Sequence, residues 1–115
     1  MAKFMYIFRG GAFVAAQLSP SEMQAHMAKW YAWAKVLSEQ GRHRGGQPVL
    51  TEGKTIRGQE RVVSDGPYAE SKDLVTGNLV IEAASLAEAT EIAHACPVFE
   101  YDGSVEIRPV LEREA

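Results

Sequence analysis

The chain of 115 residues has one cysteine, Cys96, so no disulfide can form within it and no pair of thiols exists to hold a structural zinc. A reducing cytoplasm is the expected setting. Charge of one sign is also lacking: 12 Lys and Arg against 15 Asp and Glu are mixed along the sequence and leave a net −3. No basic stripe is present to neutralise phosphates, which argues against direct nucleic-acid binding. No apolar run approaches the ~20 residues that cross a membrane. Met1 to Phe8 is apolar but too short for a signal peptide's hydrophobic region, and Arg9 follows at once. Internal repeats and low-complexity linkers are missing too.

What is present is ordinary for one globular domain spanning 1–115, with 46% hydrophobic and 23% charged residues. A domain of this size buries only about two-thirds of its unfolded surface. An apolar sheet face left open would be costly, and pairing with a second copy is the expected remedy, so a homodimer is predicted.

The pattern predicts strand, helix, a hairpin-like middle, strand, helix, strand. Lys3 to Arg9 alternates Phe4, Tyr6 and Phe8 against Met5 and Ile7, so both faces of the first strand are apolar and both need cover. Ser19-Pro20-Ser21-Glu22 is a capping box with proline at the first helical position. The helix it opens carries Met23, His26, Met27, Trp30, Trp33, Ala34 and Leu37 on one sector and ends at Gly41. Between Gly41 and Gly58 the chain is glycine-rich, with short β-prone pieces at 48–51 and 55–57 around a turn at Glu52-Gly53, and His43 in a solvated loop. Arg61 to Ser64 is a strand that runs into Asp65-Gly66-Pro67. Gly77 to Ala84 alternates again, and Ser85-Leu86-Ala87-Glu88 caps a second helix that stops near Cys96-Pro97. Val105 to Arg108 is the last strand. This order is an α+β, ferredoxin-like β-α-β-β-α-β fold: an antiparallel sheet with two helices on one face and the other face free for a dimer.

Three segments carry a family likeness: Met23-x-x-His26-x-x-x-Trp30-x-x-Trp33, Asp65-Gly66-Pro67-Tyr68-Ala69-Glu70-Ser71-Lys72-Asp73, and Ile107-Arg108-Pro109-Val110. Together they resemble the YCII-related family, in particular its DGPF branch, with Tyr68 where the branch's name has Phe. The resemblance implies a dimeric α+β barrel. It also implies either lyase-like or dehalogenating chemistry on small molecules, or association with a sigma-factor pathway. A helix histidine paired with an aspartate is the catalytic pair proposed in the YCII group, and His26 matches the histidine. Where relatives place Asp before Pro after the second helix, this chain has Cys96-Pro97, which leaves Asp65 as the substitute.

The candidate site therefore consists of His26 and Asp65 as an acid–base pair, with Trp30, Tyr68 and Arg108 lining a pocket for a small organic acid. His26 shares its apolar sector with two tryptophans, so either it moves a proton or it is a core histidine satisfied by its surroundings. Asp65 either orients His26 or shapes its own turn. Tyr68 either lines the cleft or packs its ring on the core edge. Arg108 shares a side with Glu106, where it binds a carboxylate ligand or pairs with an acid of a second copy. Cys96 reads as a small buried apolar group, and no metal-ligand spacing or cofactor motif is recognisable. Two functions follow: a cofactor-independent lyase or isomerase, or a non-catalytic dimeric binding or regulatory module.

Overall fold

The computed structural model describes residues 1–11, 17–66 and 73–112. In chain order the elements are strand β1 (Ala2–Arg9), helix α1 (Pro20–Glu39), strands β2 (His43–Pro48), β3 (Gly53–Arg57), β4 (Val62–Gly66) and β5 (Val75–Ala83), helix α2 (Leu86–Ala93), a 3-10 helix (Pro97–Tyr101) and strand β6 (Ser104–Pro109). The main sheet has the order β2-β5-β1-β6, with each of its pairs antiparallel. Setting aside the separate two-stranded sheet β3-β4, this is the ferredoxin-like β-α-β-β-α-β arrangement.

Residue parity decides the two faces of the sheet. Phe4, Tyr6 and Phe8 of β1 and Leu79, Ile81 and Ala83 of β5 are all buried under the helices. Met5, Ile7, Asn78 and Val80 project to the other face and are only half-buried. Met5 lies directly opposite Val80, and Ile7 opposite Asn78. Val105 and Ile107 of β6 pair with Phe8 and Tyr6 and join the core, whereas Glu106 and Arg108 pair with Ile7 and Met5 on the open face.

The helices begin where their caps dictate. The Ser19 hydroxyl accepts from the Glu22 N–H and the Glu22 carboxylate accepts from the Ser19 N–H, which holds that carboxyl below its ordinary range. Helix α1 buries His26, Trp33 and Leu37, spaced to fall on one stripe, and Trp30 packs beside them. Trp33 lies nearly parallel to Tyr6, with ring centroids 6.0 Å apart, while Trp30 meets Phe8 edge-on at 5.0 Å. The Tyr6 hydroxyl donates to the Ala89 carbonyl, which ties the sheet to α2 and satisfies the one polar atom that this ring buries.

The middle of the chain differs from the sequence expectation. His43 is the first residue of β2, not a loop residue, and the stretch through Gly45 and Gly46 is an edge strand of the main sheet. Glycine hides this strand from any β-propensity reading, yet the strand needs it: a Cβ on Gly46 would stand 2.3 Å from the Asn78 carbonyl oxygen. The hairpin turn lies at Gly58 to Arg61 rather than at Glu52-Gly53, closed by the Arg61 N–H to the Gly58 carbonyl at 3.1 Å. Arg61 itself has φ +56 and Gly58 φ +71. Among the described residues strand β4 pairs only with β3, so the 53–66 segment forms an arm beside the main sheet rather than part of it. No helix among the described residues is long and apolar enough to cross a membrane.

Candidate active site

Helix α1 and the 3-10 helix build the site between them. Residues 26, 29, 30 and 33 recur at three- and four-residue steps, so His26, Lys29, Trp30 and Trp33 rise along neighbouring rows of α1. Cys96 caps the 3-10 helix, Pro97 occupies its first turn and Asp102, at φ +61, ends it. Gly103 lets the chain pass tightly between this short helix and the sheet, since a Cβ there would come within 2.7 Å of the Val98 carbonyl oxygen and 3.1 Å of that of Arg9 on β1. The result is that Glu100 and Tyr101 are set against α1.

His26 is 8% exposed. Its Nε2 accepts a hydrogen bond from the Trp30 indole Nε1–H at 3.0 Å. Its Nδ1 is buried without an aligned hydrogen-bond partner, and Oε1 of Glu100 stands 3.4 Å away. That contact is within ion-pair range but is not a formed bond. The other carboxylate oxygen of Glu100 pairs with Lys29 Nζ. The Lys29 ammonium is the main reason that the Glu100 carboxyl is held below its ordinary range. The Tyr101 ring closes on the imidazole edge-on, centroids 4.8 Å apart, and neighbouring Glu100 helps burial hold its phenol above its usual value. The indole is a donor only, so a neutral His26 in this geometry carries its proton on Nδ1, toward Glu100. An imidazole with a carboxylate at Nδ1 and a lone pair on Nε2 is the arrangement of a general base with its orienting acid.

The candidates read from the sequence fall in different places. His26 and Trp30 are together in this site. Asp65 is not with them: it sits on β4 of the arm, its carboxylate pairs with Lys54, and its side chain is 82% exposed. The acid within ion-pair range of His26 is Glu100, so a His26–Asp65 pair is not formed within the protomer. Arg108 is separated from His26 by the sheet itself, because it lies on the open face, where its Nη1 donates to Glu106 at 3.1 Å. Tyr68 lies outside the described residues. Cys96 is buried, and burial pushes its thiol up to about 12, so it stays protonated.

Lys29, Glu100 and Tyr101 were missed by the sequence reading. Treating Pro97 only as the end of the preceding helix obscured its second role, as the start of the next short one. The Asp102-Gly103 stop five residues on was the available signal.

A shallow groove of about 380 Å³ runs beside this cluster, lined by Lys29, Ala32, Trp33, Val36, Ala95 and Pro97. A second, of about 440 Å³, lies on the arm around Lys54 and Asp65. The first adjoins the His26 cluster through Lys29 and Trp33 and is the one relevant to its chemistry. Among the described residues no cluster of His, Cys, Asp and Glu is placed to hold a metal ion.

Fold and site thus define a ferredoxin-like α+β domain that carries, at a helix face, a buried histidine within ion-pair range of an exposed carboxylate. The YCII-related domain model matches residues 6–114, and the chain belongs to that family. Among solved structures it is similar to 5-chloro-2-hydroxyhydroquinone dehydrochlorinase from Burkholderia phenoliruptrix AC1100 in complex with 2,5-dihydroxybenzoquinone. The identity is 17% and the TM-score 0.47, with 98% of this chain and 93% of that chain covered. No curated protein matches the chain.

Proposed function

We propose that the chain is a cofactor-independent enzyme of the lyase or isomerase class that moves a proton on a small organic acid. The observation that carries this reading is the environment of His26: buried, with its Nδ1 toward the Glu100 carboxylate and its Nε2 lone pair turned to the Trp30 indole. Glu100 takes the orienting role that the sequence suggested for Asp65. It stabilises the imidazolium that forms when Nε2 takes a proton, and Lys29 keeps Glu100 ionised while it does so. Lys29 also supplies a cation beside the groove for the acid's carboxylate. Membership of the YCII family supports small-molecule chemistry, and the Asp65-Gly66-Pro67-Tyr68 sequence supports placement in the DGPF branch.

The working form in this reading is a cytoplasmic homodimer closed through the open sheet face. Met5, Ile7 and Val80 form its apolar centre, and the ion pairs of Glu106 with Arg9 and Arg108 flank it. The alternative, a non-catalytic dimeric binding or regulatory module tied to a sigma-factor pathway, draws support from Cys96, which stands where the YCII resemblance implies an acid.

The test is a panel of small organic acids incubated with the wild-type protein and with His26→Gln, followed by mass spectrometry. General-base removal is expected to slow turnover by about 100-fold or more. No turnover across the panel, or equal turnover by His26→Gln, would favour the binding module.

A further inference from the structure

Within this site the tryptophan one turn from the histidine has a defined task. The Trp30 indole is a donor only, and its single N–H is spent on His26 Nε2 at 3.0 Å. The bond therefore requires a lone pair on Nε2. It is incompatible with the Nε2–H tautomer and with the imidazolium, both of which would set two N–H groups head to head. On the other side of the ring Nδ1 has no aligned partner, and the Glu100 carboxylate lies 3.4 Å away. That leaves the proton of a neutral ring facing a carboxylate. The indole is itself held by edge-on contacts with Phe8 at 5.0 Å and Trp33 at 6.0 Å, so it is packed on two sides rather than free to wander.

We propose that Trp30 is the positioning residue of the site: it fixes His26 as the Nδ1–H tautomer and masks Nε2 until a ligand with a hydrogen-bond donor takes the indole's place. The tautomer half of this statement stands on geometry alone. The masking half rests on the function proposed above, in which Nε2 is the reacting nitrogen. It follows that a ligand entering the site must bring an O–H or N–H group to Nε2. A fully ionised carboxylate without such a group meets the lone pair and cannot displace the indole.

Two measurements test it without a substrate. The first is long-range proton–nitrogen correlation on protein with nitrogen-15-labelled histidine, well above the ordinary histidine pKa of about 6.5. The expected result for His26 is a protonated Nδ1 and a bare, hydrogen-bonded Nε2. A protonated Nε2 overturns the proposal. The second is carbethoxylation by diethyl pyrocarbonate, followed residue by residue by mass spectrometry in wild type and Trp30→Phe. His26 is expected to react at least about tenfold faster in the variant, the equivalent of losing one hydrogen bond of ~1.4 kcal/mol. His43 and His94 serve as internal references and should not change. Equal His26 rates in the two proteins overturn the masking role. Should Trp30→Phe fail to fold, the wild-type spectrum still decides the tautomer. Equal turnover by wild type and His26→Gln in the acid panel would sink the enzyme reading while leaving the spectrum unaffected, so the two ideas fail separately.

Discussion

Arg42 Nη1 donates to Oε1 of Glu88 at 2.8 Å, joining the segment that leaves α1 to the first turn of α2 across the sheet end. The same Glu88 oxygen accepts from the Ala84 N–H at 2.9 Å, and Arg42 also donates to the Glu82 carbonyl. One carboxylate thus caps a helix and anchors a guanidinium. The Ala84 N–H, then Arg42, hold the Glu88 carboxyl below its ordinary value of 4.5.

Acid sensitivity follows from that shift and from the matching ones at Glu22 and Glu100. In each case the folded-state value is depressed, so the unfolded chain takes up protons first as pH falls. Stability should be full above the ordinary glutamate value and decline as pH drops through it toward the folded-state values. Urea titrations from pH 7 to pH 3 measure this, and Glu88→Gln should flatten the decline.

Core truncation should show where the stability resides. Leu37, on the buried face of α1, is 2% exposed, and Leu37→Ala is expected to cost about 2–5 kcal/mol, read as a lowered urea midpoint with the slope unchanged. Lys54→Ala, which breaks an exposed ion pair on the arm, should stay within about 1 kcal/mol.

Gly103→Ala should act on the site through the backbone. The added methyl meets the Val98 carbonyl at 2.7 Å and must push the 3-10 helix aside, carrying Glu100 with it. The expected outcome is about 1–3 kcal/mol of destabilisation together with a changed His26 imidazole spectrum. Gly46→Ala should cost a similar amount at the far edge of the sheet and leave that spectrum alone.

Separate kinetic roles are expected for the two acids. With a substrate from the acid panel in hand, Glu100→Gln should lower kcat by about tenfold or more, while Asp65→Asn should leave kcat within about twofold. The reverse order would restore Asp65 to the site, delivered by a second copy.

Ile7→Glu should convert the proposed homodimer to a monomer in sedimentation, because it places a charge at the centre of the open face beside Glu106. A dimer that survives this change would have to use another surface.

How much of this was legible in the sequence depended on whether a residue's role was local. Helix caps are local, and both helices start where Ser19 and Ser85 place them, although only Ser19 forms the reciprocal box. Alternation is local too, and Phe4, Tyr6 and Phe8 proved to be the buried side of β1. Strand β2 was hidden because Gly46 is required by the closeness of β5, a long-range fact with no propensity signal. Glu100 was hidden for the same reason: nothing in its neighbourhood tells of a histidine 74 positions earlier, and only the path of the 3-10 helix brings them together. Asp65 drew attention through a conspicuous sequence motif, yet it lies on strand β4 of an arm that, among the described residues, pairs with no strand of the main sheet.

The solitary thiol makes this chain its own reporter. Cys96 is 4% exposed, and its sulfur accepts from the Val98 N–H at the root of the segment that carries Glu100. A thiol reagent can reach it only when that segment lifts. With no other cysteine to compete, the labelling rate times how often the wall beside His26 opens, and a ligand that seats there should slow the clock.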